Sequence, residues 1–207
     1  MNKLGDLSCK EFLTELASAA PAPGGGGGAA MAGALAAAMV ANLTIGKEKF
    51  ADREPEVKEL LEQAEAERVR LLTLVEEDAA VFNSFMSCYK LPKTTDEEKV
   101  ARTAAIRAAA KQAATVPLNI ARSSFAVLKL ADKLVVAGNQ GVITDGACSG
   151  LLARAALRCA EYNVRINLGL TKDEAWNAQA AADLKQLLAD AEALETSLLA
   201  VTDKALQ

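Results

Sequence analysis

Residues 21–45 read PAPGGGGGAAMAGALAAAMVANLTI, and this Gly- and Ala-rich stretch decides the fold class. Alanine is the best helix former, and small side chains let the backbones of neighbouring helices come close together. The stretch therefore predicts a closely packed helix over about 29–45. The five consecutive glycines at 24–28, which follow Pro21 and Pro23, predict a flexible loop that leads into the N-terminus of this helix.

The same helical character extends over the rest of the 207 residues. Alanine makes up about a fifth of the chain, and no segment beyond the short run 134–136 alternates with a period of two. Prolines, glycines and capping-box pairs predict six further helices, over about 9–20, 55–89, 96–115, 117–138, 146–168 and from 172 towards the C-terminus. The three capping-box pairs are Ser8 with Glu11, Thr95 with Glu98, and Thr171 with Glu174. We therefore expect one all-α domain over residues 1–207, a bundle of about seven helices that includes one very long helix.

The composition excludes several classes of function. A net charge of −4 and an aromatic content of 4% are atypical of a nucleic-acid-binding protein, which needs a basic surface. The chain contains no histidine, which excludes Ser-His-Asp and Cys-His catalysis and the usual zinc sites. Acid–base catalysis would then depend on Asp, Glu, Lys, Tyr or Cys side chains with shifted pKa values. We expect no nucleic-acid partner, no metal and no cofactor.

The cysteines and the apolar stretches indicate the compartment. The four cysteines form no CxxC pair, and Asp6, Lys10 and Glu11 interrupt any secretory signal at the start of the chain. We therefore expect reduced thiols in a cytoplasmic protein. The longest apolar stretch, 29–41, is too short and too weakly apolar to span a bilayer, so we expect no membrane association.

The glycine run allows two interpretations. Gly24-x-Gly26-x-x-Ala29 has the spacing of a dinucleotide-binding fingerprint, but a helix and not a strand precedes it, and no Gly-Lys-Ser/Thr follows to make a P-loop. The free N–H groups of the following helix would favour an anionic ligand at Gly24, Gly25 and Gly26. The alternative is a loop in which glycine serves only close packing.

One acidic residue stands out in the long third helix. Asp78 lies among apolar residues that recur at spacings of four and three, namely Leu71, Val75, Phe82, Phe85 and Tyr89. A carboxylate on such an inward-facing seam must be paired, protonated or functional. The structural alternative to a catalytic role is an ion pair with an arginine or lysine of another helix, such as Arg68 or Arg122.

Two polar clusters follow the predicted helices. Lys47 and Lys49 come directly after the second helix, where lysines commonly complement the negative end of the helix dipole. Asn139 and Asp145 lie in a predicted loop before the sixth helix, and Asp145 could simply cap that helix.

Several motifs together resemble the formiminotransferase-cyclodeaminase C-terminal domain family over nearly the whole chain. They are PAPGGG at 21–26, LTIGK at 43–47, Asp78-x-x-x-Phe82, LPKTTDEE at 91–98, VPL at 116–118, Gly138-Asn139, Asp145 and NVRIN at 163–167. The resemblance implies an all-α homodimer that binds a folate near its interface. It also implies hydrolysis of 5,10-methenyltetrahydrofolate to 10-formyltetrahydrofolate as the activity. The alternatives are formiminotetrahydrofolate cyclodeaminase activity, which releases ammonia, and a non-enzymatic helical interaction protein.

The resemblance implies Asp78 as the catalytic carboxylate. The chemistry of the hydrolysis makes Lys47 the second candidate, as a proton relay or as a hydrogen-bond donor to the nascent formyl oxygen. The helix terminus at 24–26 would hold the glutamate tail of the folate, and Asn139 and Asp145 would bind the pterin edge. Lys49 is a further candidate for substrate binding.

Overall fold

A computed structural model describes residues 3–44, 54–137 and 140–207, and within these ranges the chain is helical without a strand. The prediction of an all-α fold is confirmed. The described part contains six α-helices, namely α1 (Cys9–Leu16), α2 (Gly25–Thr44), α3 (Glu54–Cys88), α4 (Asp96–Ala137), α5 (Ile143–Thr171) and α6 (Glu174–Ala205). Single 3-10 turns precede α1 and α5.

The helix count is lower than predicted because α4 is one helix of 42 residues where two were expected. Pro117 lies in its middle and is fully buried. Proline has no N–H, so the carbonyl of Ala113 loses its helical donor. The side chain of Asn167 in α5 donates to this carbonyl at 3.0 Å, which satisfies the carbonyl and lets α4 continue past Pro117.

The prediction of a flexible glycine loop is wrong, because most of the run forms the first turn of α2. The N–H of Gly28 donates to the carbonyl of Gly24 at 2.9 Å, so the helix begins at Gly25 and not near residue 29. The preceding helix α1 also ends earlier than predicted, at Leu16.

Two of the three predicted capping boxes are confirmed. Ser8 and Glu11 cap α1 reciprocally, and Thr95 and Glu98 do the same before α4. The third is wrong, because α5 extends through Thr171 and Asp173 caps α6 by accepting from the N–H of Trp176.

The small residues of α2 allow close helix packing. Its residues Ala30, Ala36, Ala37 and Val40 are fully buried. A Cβ at Gly33 would lie 3.1 Å from the side chain of Leu71 in α3 and 3.1 Å from that of Ser124 in α4, so side chains of two other helices pack directly against the backbone of α2 here. None of the helices in the described ranges has the length and the apolar character of a membrane-spanning segment.

Candidate functional site

A cavity of about 320 Å³ lies at the N-terminal end of α2, between α3, α4 and α5. The segment before α2 forms one wall, and the Ala22–Pro23 peptide bond there is cis. The cavity is lined by Pro21, Ala22, Gly24, Gly25, Gly26, Asp78, Val81, Phe82, Phe85, Ala113, Val116, Pro117, Asn163, Ile166, Asn167 and Leu170. Four residues predicted for the site, Asp78 and the three glycines, therefore lie together.

Asp78 lies against the first turn of α2. The backbone N–H of Gly27 donates to its carboxylate, so this carboxylate satisfies one of the free donors of the helix terminus. A Cβ at Gly26 would overlap the Asp78 carboxylate, at 2.6 Å from Cγ and 2.8 Å from Oδ2. Gly26 is therefore the residue that allows the carboxylate of α3 to approach the backbone of α2.

Burial determines the electrostatics of Asp78. It raises the pKa of this carboxyl group above the ordinary value of 3.8, and the hydrogen bond from Gly27 opposes the shift only in part. The two arginines considered as ion-pair partners are engaged elsewhere, Arg68 with Glu65 at 2.6 Å and Arg122 with Asp183 at 2.9 Å. No salt bridge to Asp78 occurs in the part of the chain that the structure describes, so an ion pair with either arginine is excluded.

The rest of the cavity is largely apolar. Phe82 and Phe85 continue the seam of α3 along one wall, and Ile166 and Leu170 of α5 form the opposite side. Phe85 is 9% exposed, whereas Phe82 is 36% and Ile166 is 72% exposed, so the apolar lining extends out to the surface. A half-buried carboxylate beside aromatic side chains suits a flat, positively charged heterocycle.

Asn163 and Asn167 complete the polar lining. Both belong to the NVRIN motif at 163–167, which contains none of the predicted site residues. Asn163 donates to the carbonyl of Cys159 at 2.9 Å, and Asn167 donates to the carbonyls of Ala113 and Asn163. The sequence contains a signal for this pair. Asparagine is a poor helix former, yet two asparagines occur four residues apart in a helix interior, a spacing that places them on one face.

Of the other predicted site residues, only Asp145 lies in the described part of the chain, and it does not line this cavity. Lys47, Lys49 and Asn139 lie outside the described residues. Asp145 is the third residue of α5 and lies 18 residues before Asn163, which is about 27 Å along the helix. It does not cap α5, because the N-cap position belongs to Val142.

The described residues offer no group of three His, Cys, Asp or Glu side chains that could hold a metal ion. Within that same part of the chain the cysteines Cys9, Cys88, Cys148 and Cys159 are free thiols. The chemistry that the cavity itself supplies is thus a carboxylate with a raised pKa, two amides and the N-terminus of a helix.

Known proteins are similar to this chain in sequence and in fold. The formiminotransferase-cyclodeaminase family model matches residues 8–186. A protein named methenyltetrahydrofolate cyclohydrolase, from Methylorubrum extorquens, is 44% identical over 193 residues, which make up 92% of this chain and 93% of that protein. The formimidoyltransferase-cyclodeaminase of Sus scrofa is 31% identical over 88% of this chain, but the match spans only 34% of the longer pig protein.

A solved structure agrees with these sequence matches. The crystal structure of formiminotetrahydrofolate cyclodeaminase from Thermotoga maritima superposes with a TM-score of 0.86 and covers 98% of both chains, at 28% sequence identity. The family match extends over the helices that form the cavity and over every described residue that lines it. The chain therefore belongs to the formiminotransferase-cyclodeaminase family.

Proposed function

We propose that this protein is an enzyme of one-carbon metabolism that hydrolyses 5,10-methenyltetrahydrofolate to 10-formyltetrahydrofolate. The observation that carries the proposal is the 44% identity to a methenyltetrahydrofolate cyclohydrolase over nearly the full length of both chains. The relatives that are named cyclodeaminases are less similar, at 28% to 31% identity in the two cases described above. Cyclodeamination of formiminotetrahydrofolate, with release of ammonia, is the second candidate.

The substrate of the hydrolysis is a cation. Its methenyl carbon bridges N5 and N10 as an amidinium group, which is already electrophilic. Water adds to this carbon and loses one proton to a base. The N5–C bond then breaks, N5 takes up a proton, and the remaining hydroxyl proton leaves as the formyl C=O forms. The reaction therefore needs a group that accepts a proton and returns it, and no redox step.

Asp78 is the residue that we propose for this proton transfer. Its carboxylate lies in the cavity and its raised pKa brings it closer to the range in which it can both accept and donate a proton. Without a cation partner among the described residues, its negative charge is also available to stabilise the amidinium cation. We propose Lys47 as a second catalytic residue, a proton relay or a hydrogen-bond donor to the formyl oxygen.

We also propose roles in substrate binding. Gly24, Gly25 and Gly26 at the N-terminus of α2 remain proposed substrate-binding residues, because the free N–H groups of a helix terminus can donate to acceptor groups of a ligand. Lys49, Asn139 and Asp145 remain proposed substrate-binding residues. We propose that the reaction needs no metal or other cofactor.

The decisive experiment offers methenyltetrahydrofolate and formiminotetrahydrofolate separately to enzyme that has been dialysed against EDTA. Turnover of the methenyl compound with little ammonia release from the formimino compound is the expected result. Faster turnover of the formimino compound would make the enzyme a cyclodeaminase. Binding of neither folate would leave the third alternative, a helical interaction protein, and a thermal shift with 5-formyltetrahydrofolate detects that case independently of turnover.

We further propose that the protein is a homodimer in the cytoplasm. Support for the dimer comes from large apolar side chains that are exposed in the single chain, among them Leu35 of α2 and Val69 of α3, which are 55% and 54% exposed. The exposed apolar residues at the mouth of the cavity, Phe82 and Ile166, are consistent with a second protomer near the site.

A further inference from the structure

Pro117 and Asn167 form a connection between α4 and α5 at the wall of the cavity. The missing N–H of Pro117 leaves the carbonyl of Ala113 without its helical donor, and one N–H of the Asn167 amide donates to this carbonyl at 3.0 Å. The same amide nitrogen donates to the backbone carbonyl of Asn163 at 2.8 Å. Since an amide nitrogen has two hydrogens, both donors of Asn167 are engaged, and its orientation is determined by two helices at once.

Asn163 lies one turn earlier on α5 and faces the first turn of α2. A Cβ at Gly25 would lie 3.5 Å from its Nδ2 and 3.7 Å from its Oδ1, so the amide packs against the glycine backbone. Nδ2 donates to the carbonyl of Cys159 at 2.9 Å, which orients the amide group. Within the described ranges, Oδ1 of Asn163 accepts no hydrogen bond, and this half-buried residue lines the cavity.

We propose that Asn163 orients the substrate, with its amide oxygen accepting a hydrogen bond from an N–H group of the bound folate, and that Asn167 is the positioning residue that holds Asn163 in place. This inference rests on the proposed function. These roles differ from that of Asp78, which transfers protons during hydrolysis at the methenyl carbon. The Asn163 amide would contact the ring system beside that carbon.

The chemistry of the cavity supports this assignment. Asp78 contacts Gly26 and Asn163 contacts the neighbouring Gly25, so a carboxylate and an amide oxygen meet adjacent residues of the same helical turn. Both groups are acceptors. A reduced pterin carries N–H donors on its pyrimidine ring and its amino group, so it can satisfy the Asn163 oxygen while the amidinium cation lies near Asp78. A ligand with only acceptors on its ring edge would leave Asn163 unpaired.

Asn163→Leu tests the substrate contact, because leucine has nearly the same size but no acceptor. Loss of one hydrogen bond made equally in the ground state and the transition state should raise KM by about 10- to 100-fold and leave kcat within about threefold. Asn163→Asp keeps an acceptor oxygen and should retain a KM much closer to wild type. A KM for Asn163→Leu within twofold of wild type, or equal losses in both variants, would overturn the assignment.

Asn177→Leu is the matched control. Asn177 lies at the junction of α5 and α6 and also uses both ends of its amide, donating to the carbonyl of Leu168 at 2.9 Å and accepting from the Thr171 hydroxyl at 2.6 Å. It does not line the cavity. Its replacement should lower Tm and leave KM unchanged, which separates loss of a structural amide from loss of a substrate contact.

A double-mutant cycle at Pro117 and Asn167 tests the positioning role. Asn167→Ala leaves the Ala113 carbonyl without a donor and should lower Tm and raise KM several-fold. Pro117→Ala restores an N–H that bonds to Ala113 within α4, so in this background Asn167→Ala should cost much less in Tm. KM should stay raised in the double variant, because the backbone carbonyl of Asn163 still lacks the hydrogen bond from the Asn167 amide. Recovery of KM together with Tm would make Asn167 a structural residue only.

The outcome for the wild type distinguishes this inference from the proposed function. If the wild type turns over neither folate, both the proposed function and the role of Asn163 are overturned. If the wild type turns over methenyltetrahydrofolate and Asn163→Leu has a normal KM, only the inference about Asn163 is overturned.

Discussion

At the scale of single residues, Asp78 carries the largest functional consequence. Asparagine is nearly isosteric, and its side-chain oxygen can still accept from the N–H of Gly27, but it cannot accept a proton. We expect Asp78→Asn to lower kcat by about 10²- to 10⁴-fold in a steady-state assay, with a smaller change in KM. Asp132→Asn is the matched control, because burial also raises the pKa of Asp132 while the residue does not line the cavity. Near wild-type kcat in Asp78→Asn would remove Asp78 from the mechanism.

The raised pKa of Asp78 predicts a characteristic pH dependence of stability. The native state holds the Asp78 proton more tightly than the unfolded state, whose carboxyl group titrates near 3.8. The contribution of Asp78 to the free energy of unfolding is therefore largest below that pH and decreases as pH rises through the raised native pKa. We expect Asp78→Asn to have the higher Tm at neutral pH and the same Tm as wild type at the acidic end of the scan. A lower Tm at neutral pH would contradict this.

Gly26 is a site where one methyl group should disturb catalysis. Its added Cβ would overlap the Asp78 carboxylate, so Gly26→Ala must displace the proposed base. Displacement by about 1 Å costs on the order of 10²-fold in rate, and we expect a loss of this size in kcat/KM. Gly28→Ala is the control, because a Cβ there makes only an ordinary contact with Leu16 at 3.9 Å and Gly28 does not line the cavity. Equal activity of the two variants would indicate that the carboxylate position is not critical.

At the scale of helices, the packing of α2 depends on its small residues. Gly33→Leu would force a large side chain between Leu71 and Ser124, and overpacking of this kind costs about 1–3 kcal/mol or more. We therefore expect a clear drop in the midpoint of urea or thermal unfolding. Gly169→Leu in α5 has open space at its Cβ and replaces a poor helix former, so it should be neutral or slightly stabilising. An unchanged midpoint for Gly33→Leu would show that the helices can separate without cost.

The helix boundaries show where local patterns were insufficient. Pro117 and the glycines at 24–28 are both signals for a helix end in an isolated chain, and each lies within a helix here or at its start. In each case a side chain of another helix forms a hydrogen bond with a backbone group, one turn before the proline or within the glycine run. Asn167 donates to the carbonyl that Pro117 frees, and Asp78 accepts from the N–H of Gly27.

At the scale of the whole molecule, we expect a dimer of twice the chain mass of 21.6 kDa in light scattering at micromolar concentration. Leu35→Glu places a charge on an exposed apolar position of α2 and should shift the protein towards the monomer. Leu206→Glu, at an equally exposed leucine near the C-terminus, serves as the control. A monomeric wild type would contradict the dimer.

Part of the candidate site followed from the sequence. Asp78 stood out as a charged residue on an apolar seam, and Gly24, Gly25 and Gly26 as a helix terminus, and these residues line one cavity. The spacing of residues along the chain could not predict that Asp78 faces the glycines, because Asp78 and the glycines belong to different helices. Asp145, by contrast, lies at the opposite end of α5 from the cavity within one chain.

The all-α class was determined by the sequence alone, because helix propensity, capping and the spacing of apolar residues act within about four residues of the chain. The tertiary structure alone decided that residues 25–28 are helical, that α4 passes through Pro117, and that Asn163 and Asn167 belong to the cavity. These features depend on contacts between distant residues, such as the hydrogen bond between Asn167 and Ala113, which are 54 positions apart. Such a donor comes within reach only when the helices have packed, so no local pattern contains it.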